Sequence, residues 1–274
     1  MTVFLLIGIG VVTGVTTVLF GFGGGFVTVP VIVWADAGLG SSAAHVAVAT
    51  SSVVMVVNAC TATAAADRRI LRQLRGSAPL FLLLAAGGAA GTVAAQRAPG
   101  PVTQWGFVAY LVITIVDLVL RPGFFGSRAA AGSGPAAGGV PAVSIPALLG
   151  APIGAVAAFL GVGGSVMTVP LLRRSGRDMR TAATLANPLT LAIAAPAMAI
   201  SLAQGTRLDH GAAVFLVGPV DIGAAAALLA GALPVIVALR RHRPRIPDRV
   251  YSRSYLILLI LVTAAMVAAS CRPG

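Results

Sequence analysis

Apolar runs long enough to cross a bilayer alternate with short basic loops along most of this chain. Residues 3–34 form one long apolar stretch, broken at the cluster Gly21 to Gly25. The pattern predicts a helix over 43–66, followed by the basic loop DRRILRQLR at 67–75. It predicts further helices over 78–96 and 103–120, then a Gly/Ala/Pro/Ser-rich stretch at 121–143. A second long broken stretch spans 144–172, and the basic loop RRSGRDMR comes next at 173–180. Helices over 183–204, 212–239 and 254–271 complete the chain, with RRHRPRIPDRVYSR between the last two. A membrane-spanning helix needs about 20 mainly apolar residues, and six or more stretches meet that need.

The chain repeats itself. GFGGGFVTVPVI at 21–32 aligns with GVGGSVMTVPLL at 161–172, an offset of 140. Gly21, Gly23, Gly24, Thr28, Val29 and Pro30 are identical to Gly161, Gly163, Gly164, Thr168, Val169 and Pro170. The repeat divides the chain into a first transmembrane repeat at 1–122, a linker at 123–143 and a second repeat at 144–274. Each repeat is a broken segment plus three helices. Arginine fixes orientation, because short cytoplasmic loops carry the excess of positive charge. Loops 67–75 and 173–180 hold four Arg each and 240–253 holds six, whereas 35–42, 98–101 and 205–211 hold only Arg207 between them. Residues 144–172 must then enter and leave on the same side, as a helical hairpin meeting at its glycines. The counterpart at 3–34 becomes a hairpin with both ends outside. The alternative is one long tilted helix in each place. The expected fold is an all-α polytopic membrane protein. Its two repeats are each a Gly-broken helical hairpin plus three transmembrane helices, in inverted topology, a plan many transporters share.

Composition agrees with that reading. The chain is 58% hydrophobic and 9% charged, with mean hydropathy +0.97, whereas a soluble domain is roughly 45–50% apolar and about 25% charged. A net charge of +12 could suggest nucleic acid, but the arginines sit in short loops between apolar runs, so no nucleic-acid partner is expected. The basic residues are all Arg and the acids all Asp, which reads as coding bias. Cys60 and Cys271 make no disulfide framework; Cys60 reads as apolar filler. MTVFLLIGIG has no basic n-region or evident cleavage site and reads as the first membrane segment.

The glycine clusters carry the candidate chemistry. Gly inside a helix costs about 1 kcal/mol relative to Ala, so four in five positions break the helix at membrane depth. Irregular backbone there is tolerated only when buried in protein or lining a wet cavity. Each break exposes unpaired N–H groups at the start of the next short helix, which with the helix dipole suit an anion. The competing reading is close helix packing, and Gly87/Gly91 and Gly150/Gly154 are expected to serve that purpose. The resemblance of the string to a dinucleotide loop is a weak signal, since no βαβ pattern surrounds the glycines. Polar residues near the breaks extend the candidate site as a set of anion donors: Thr50, Ser51, Ser52 and Asn58 on helix 43–66, and Asn187 on helix 183–204; the competing reading for each alone is a bond back to its own helix backbone. The substrate-binding set is Gly21, Gly23, Gly24, Gly25, Thr28, Thr50, Ser51, Asn58, Gly161, Gly163, Gly164, Ser165, Thr168 and Asn187. Asp221, inside an apolar segment, is the candidate for a coupling proton, or else a partner of Arg207. Asp117 is expected to pair with Arg121 at a helix end, and His45 to be structural.

GFGGGFVTVP, followed by HVAVATSSVVMVVN and a second GVGGSVMTVPLL, resembles the sulfite exporter TauE/SafE family of membrane transporters over nearly the whole chain. The resemblance implies movement of small anions, often sulfur oxyanions or organosulfonates. The family's Gly-Thr-Ser stretch is matched by Ala49-Thr50-Ser51, while the second half departs with Thr184-Leu185-Ala186-Asn187-Pro188. The expected function is a secondary transporter of a small sulfur oxyanion or organosulfonate, by alternating access around the two breaks. An anion channel is the alternative. A membrane-embedded enzyme is disfavoured, because the three His (45, 210, 242) and the Asp residues are scattered. No nucleotide-binding loop, cofactor or metal is expected. The expected partners are a small anion and the lipid bilayer of an inner or plasma membrane, and the reading is compatible with a homo-oligomer.

Overall fold

The computed structural model describes residues 3–36, 42–121, 145–203, 216–242 and 247–270. The 123–143 linker, Arg207, His210 and Cys271 lie outside the described residues. Eleven α-helices are described: α1 (Val3–Phe20), α2 (Gly25–Ala35), α3 (Ala43–Ala64), α4 (Arg68–Leu71), α5 (Ala78–Arg97), α6 (Gly100–Leu120), α7 (Gly150–Leu160), α8 (Ser165–Arg174), α9 (Met179–Ala203), α10 (Ile222–His242) and α11 (Asp248–Ser270). Seven of them, α1, α3, α5, α6, α9, α10 and α11, are long and apolar enough to cross a membrane. The protein is an all-α polytopic membrane protein. In lipid every backbone polar group must be satisfied internally, and the helix does this within one segment.

Both broken stretches break where the glycines are. α1 ends at Phe20 and α2 begins at Gly25; α7 ends at Leu160 and α8 begins at Ser165. Neither stretch is one long helix. The arms are unequal, since α1 has 18 residues and α7 has 11.

One boundary differs from the hydropathy pattern. The last-but-one helix starts at Ile222, not at 212. Two short antiparallel strands, β1 (Leu216–Val217) and β2 (Val220–Asp221), precede it. Gly218, at φ 66°, turns the chain between them, and Asp221 then starts the helix. The basic loop 67–75 also has structure: Asp67 caps α4 by accepting the Arg69 N–H at 2.9 Å.

α3 and α9 pack on each other at the centre. α2 packs on α3 and α8 on α9; α1 packs on α10 and α5 on α7; α6 packs on α11. Glycine makes two of these contacts close. A Cβ built on Gly91 of α5 would overlap the Ala155 carbonyl oxygen of α7 and lie 2.8 Å from Ala155 Cα. Gly87 and Gly154 are equally tight against Ala151 and Leu84, so both glycine pairs do mediate helix packing. In the other contact Gly10 meets Leu228, Gly14 meets Ala232 and Gly231 meets Ile7. Such small residues let helix backbones approach without a hydrophobic driving force. The outward surface is apolar: Phe4, Leu82, Leu120 and Leu148 are all more than two-thirds exposed.

Among the described residues most arginines gather at one end of the bundle, with Arg97, in the last turn of α5, at the other. Asp117 accepts from Arg174 at 2.6 Å and from Arg121 at 3.0 Å, so the expected pair with Arg121 is joined by a second partner from α8. Arg177 reaches Gln73, Arg173 donates to Ser252 Oγ at 3.4 Å, and Arg240 donates to Thr184 Oγ1 at 3.4 Å. Segments 67–75 and 173–180, with the described residues of 240–253, therefore share that end.

Candidate functional site

Each break is built from left-handed glycines. Gly21, Gly23, Gly161 and Gly163 have φ of 73°, 64°, 67° and 70°, a region where other residues are strained. Proline shapes the short helix after each break. Pro30 lies inside α2 and Pro170 inside α8; each lacks an N–H and so frees a carbonyl one turn earlier. The carbonyl freed by Pro170 is that of Val166, and it accepts the Tyr255 hydroxyl at 3.2 Å. Tyr255 also packs against Phe22, with ring centroids 5.2 Å apart, and Phe22 packs against Phe26 at 4.7 Å. One α11 tyrosine thus touches both breaks.

The two breaks meet. A Cβ on Gly25 would lie 2.9 Å from the Gly161 carbonyl oxygen, and one on Gly163 would lie 3.5 Å from that of Phe22. They also share neighbours. Gly23, Gly25 and Gly163 all face Met55 of α3, and a Cβ on Gly23 or on Gly163 would lie 3.0 Å from the Thr190 methyl of α9. Ser51 Oγ, which lies against the Gly161 break, shares its proton between the carbonyls of Val48 at 2.8 Å and Gly161 at 3.1 Å.

α2 and α8 both begin at the junction, with glycine N-caps and no side-chain cap. The first N–H groups of a helix have no intrahelical acceptor. Here the Gly24 carbonyl takes the N–H of both Val27 and Thr28, and the Gly164 carbonyl that of both Met167 and Thr168, so the N–H groups left without an intrahelical acceptor are those of the first two residues of each helix, Gly25 and Phe26, Ser165 and Val166. Among the described residues, several buried polar atoms have no hydrogen-bond partner: Asn58 Oδ1 and Nδ2, Ser165 Oγ, Thr168 Oγ1, Thr190 Oγ1 and Asn187 Oδ1. A buried polar atom left unpaired costs about 1–3 kcal/mol.

The expected site residues divide into two groups. Gly21, Gly23, Gly24, Gly25, Gly161, Gly163, Gly164, Ser51, Asn58, Ser165 and Thr168 belong to the breaks or their walls; Asn58 Nδ2 lies 2.6 Å from where a Gly24 Cβ would be. Others are used locally. Thr28 Oγ1 donates to Gly24 O at 2.9 Å, Asn187 Nδ2 donates to Ala183 O at 3.1 Å, and Ser52 Oγ donates to Ala49 O at 2.6 Å. Thr50 turns to α10, where its Oγ1 accepts the Asp221 N–H at 2.9 Å. Asp221 is an N-cap at the start of α10, its Oδ1 accepting the Ala224 N–H at 2.9 Å, rather than a mid-helix carboxylate. His45 Nε2 donates to Ala98 O at 2.9 Å, a structural bond. Cys60 is exposed on its helix.

Three further residues at or near the site were not singled out by sequence. Thr190 was legible, because the 140-residue offset places it opposite Thr50. Met55 left no signal, since an apolar residue on an apolar helix looks like filler. Asp36, just past α2, faces Asp221; burial, and after it the Asp221 charge, push its carboxyl up to about 6.

In a comparison with protein families, the model described as sulfite exporter TauE/SafE matches residues 6–266. Neither a curated protein nor a solved structure matches.

Proposed function

The chain belongs to the sulfite exporter TauE/SafE family, and from that premise we propose that it carries a small sulfur oxyanion or organosulfonate by alternating access around its two glycine breaks. It is a multi-pass membrane transporter and not an enzyme. The observation that carries the reading is the junction of the breaks. Two uncapped helix starts, from different halves of the chain, converge with the unpaired polar atoms of Asn58, Ser165, Thr168 and Thr190 around them. Helix N-termini and neutral donors hold an anion without a fixed cation, so the anion can leave again, as a carrier needs.

Inverted topology is part of the proposal, and the packing supports it. α7 starts beside the start of α5, where Gly150 meets Leu80, and α8 ends beside Asp117 near the end of α6. Both ends of α7–α8 thus lie at the arginine-rich end, which we assign to the cytoplasm. α1 runs alongside α10 in the same direction, and Asp36, the residue after α2, lies close to Asp221 at the start of α10. Both ends of α1–α2 thus lie at the opposite, outer end. Contacts exchange in pairs, α1 with α10 and α7 with α5, as a two-fold relation in the membrane plane requires. The repeats at 1–122 and 144–274, an inner or plasma membrane location, and Asp221 as part of the outer carboxylate pair belong to this reading.

Cysteines at positions 140 and 176, in a Cys60→Ser, Cys271→Ser background, should both react with an impermeant thiol reagent from the cytoplasmic side. Labelling from opposite sides sinks the inverted plan. For the substrate, the purified protein should gain thermal stability, saturably, with sulfite or an organosulfonate and not with chloride. Equal shifts with all anions would remove the sulfur assignment.

A further inference from the structure

The junction of the breaks is closed, and one side chain closes it. Met55 is 1% exposed. A Cβ on Gly25 would overlap its sulfur and lie 2.6 Å from its Cγ; one on Gly163 would lie 2.9 Å from the sulfur, and one on Gly23 would lie 3.5 Å from Cγ. Its side chain therefore stands among three glycines drawn from both halves of the chain. The other walls are hard to move. They are the Gly161 and Phe22 carbonyls and the Thr190 methyl, backbone and a β-branched side chain with stiff χ1. Methionine is the opposite, unbranched, with three rotatable bonds. On α3 it has Ser51 one turn before and Asn58 one turn after, and residues three and four apart share a helix face. Ser51 lies at the Gly161 break and Asn58 at Gly24. One stripe thus presents a hydroxyl, a flexible thioether and an amide to the junction.

We propose that Met55 is the displaceable stopper of the anion site: it fills the anion's place between the two breaks when the site is closed, and its length sets the size of anion carried. This rests on the assignment of the anion site to the junction and goes one step past it. An anion enters when the thioether swings aside. The uncapped starts of α2 and α8, with Asn58 and Thr190, then face the anion. Shortening the side chain enlarges the space and should favour larger anions over sulfite.

The test is flux into proteoliposomes with sulfite, methanesulfonate and sulfoacetate. Met55→Ala should raise the sulfoacetate-to-sulfite flux ratio at least about tenfold, in the range one or a few methylene volumes discriminate. Met55→Leu, which restores bulk, should bring the ratio back towards that of the natural protein. A general packing defect would lower all fluxes together and leave the ratio unmoved, and that result overturns the proposal. Should Met55→Ala fail to insert, Met55→Cys in a Cys60→Ser, Cys271→Ser background replaces it. Methanesulfonate should then slow maleimide labelling of that cysteine, and labelling indifferent to methanesulfonate overturns the proposal. If Gly24→Leu stops flux while the Met55 size ratio stays fixed, the stopper fails and the site stands. If neither variant alters transport, both fail.

Discussion

Gly24→Leu is expected to lower anion flux by at least about 100-fold, the scale on which a misplacement of roughly 1 Å acts on a positioned site, while the protein still inserts. Gly24 is the N-cap of α2 and sits at φ 90°. A non-glycine residue there costs roughly 1–2 kcal/mol in backbone strain. A side chain would also push on Asn58 Nδ2, 2.6 Å from the Cβ position, and on Val54 at 3.4 Å. The helix start and its amide neighbour would both shift. The matched change in the other half should be milder. Gly164 has φ −72°, which any residue adopts, and its Cβ would meet only the tip of the Ile193 side chain closely, with the next atom 3.7 Å away. Flux measured for Gly24→Ala and Gly164→Ala side by side should therefore fall more in the first. Equal losses would mean that the glycines act as simple repeats of each other.

Gly91→Leu should have the largest effect on stability, about 3 kcal/mol or more, at the upper end for overpacked interiors. The new side chain would project into the Ala155 backbone of α7, which cannot rotate away. α5 and α7 would have to separate, and α7 leads into the second break. A Gly8→Leu control has open space around its Cβ and should unfold like the natural protein. Thermal unfolding in detergent compares the two. A Gly91→Leu midpoint equal to that of Gly8→Leu would contradict the packing assigned to α5 and α7.

How far each feature was legible in the sequence depends on what its residues do. The breaks were visible because four glycines in five positions have few uses inside a helix. The close-packing role of Gly87, Gly91, Gly150 and Gly154 was visible from their spacing. The start of α10 was not, because hydropathy sums over Leu216–Asp221 as if it were helix. The Gly218-Pro219 pair and a following Asp are turn and N-cap signals, and they outrank the apolar run. Asp221 looked buried within a membrane helix for the same reason. Thr28, Ser52 and Asn187 were correctly seen as polar and buried, yet their bonds run back to their own helices, a local choice that spacing does not reveal. Gly24 and Gly164 are identical in the repeat but take different backbone conformations, so sequence identity did not carry over to φ. Met55 required the fold itself, since its role arises only where two distant segments meet.

The most direct test of the central claim is counterflow in proteoliposomes. Vesicles loaded with unlabelled sulfite should take up labelled sulfite faster than empty vesicles, and Gly24→Leu should abolish that acceleration. Uptake that is indifferent to internal sulfite, or unchanged in Gly24→Leu, would contradict a carrier working around the two glycine breaks.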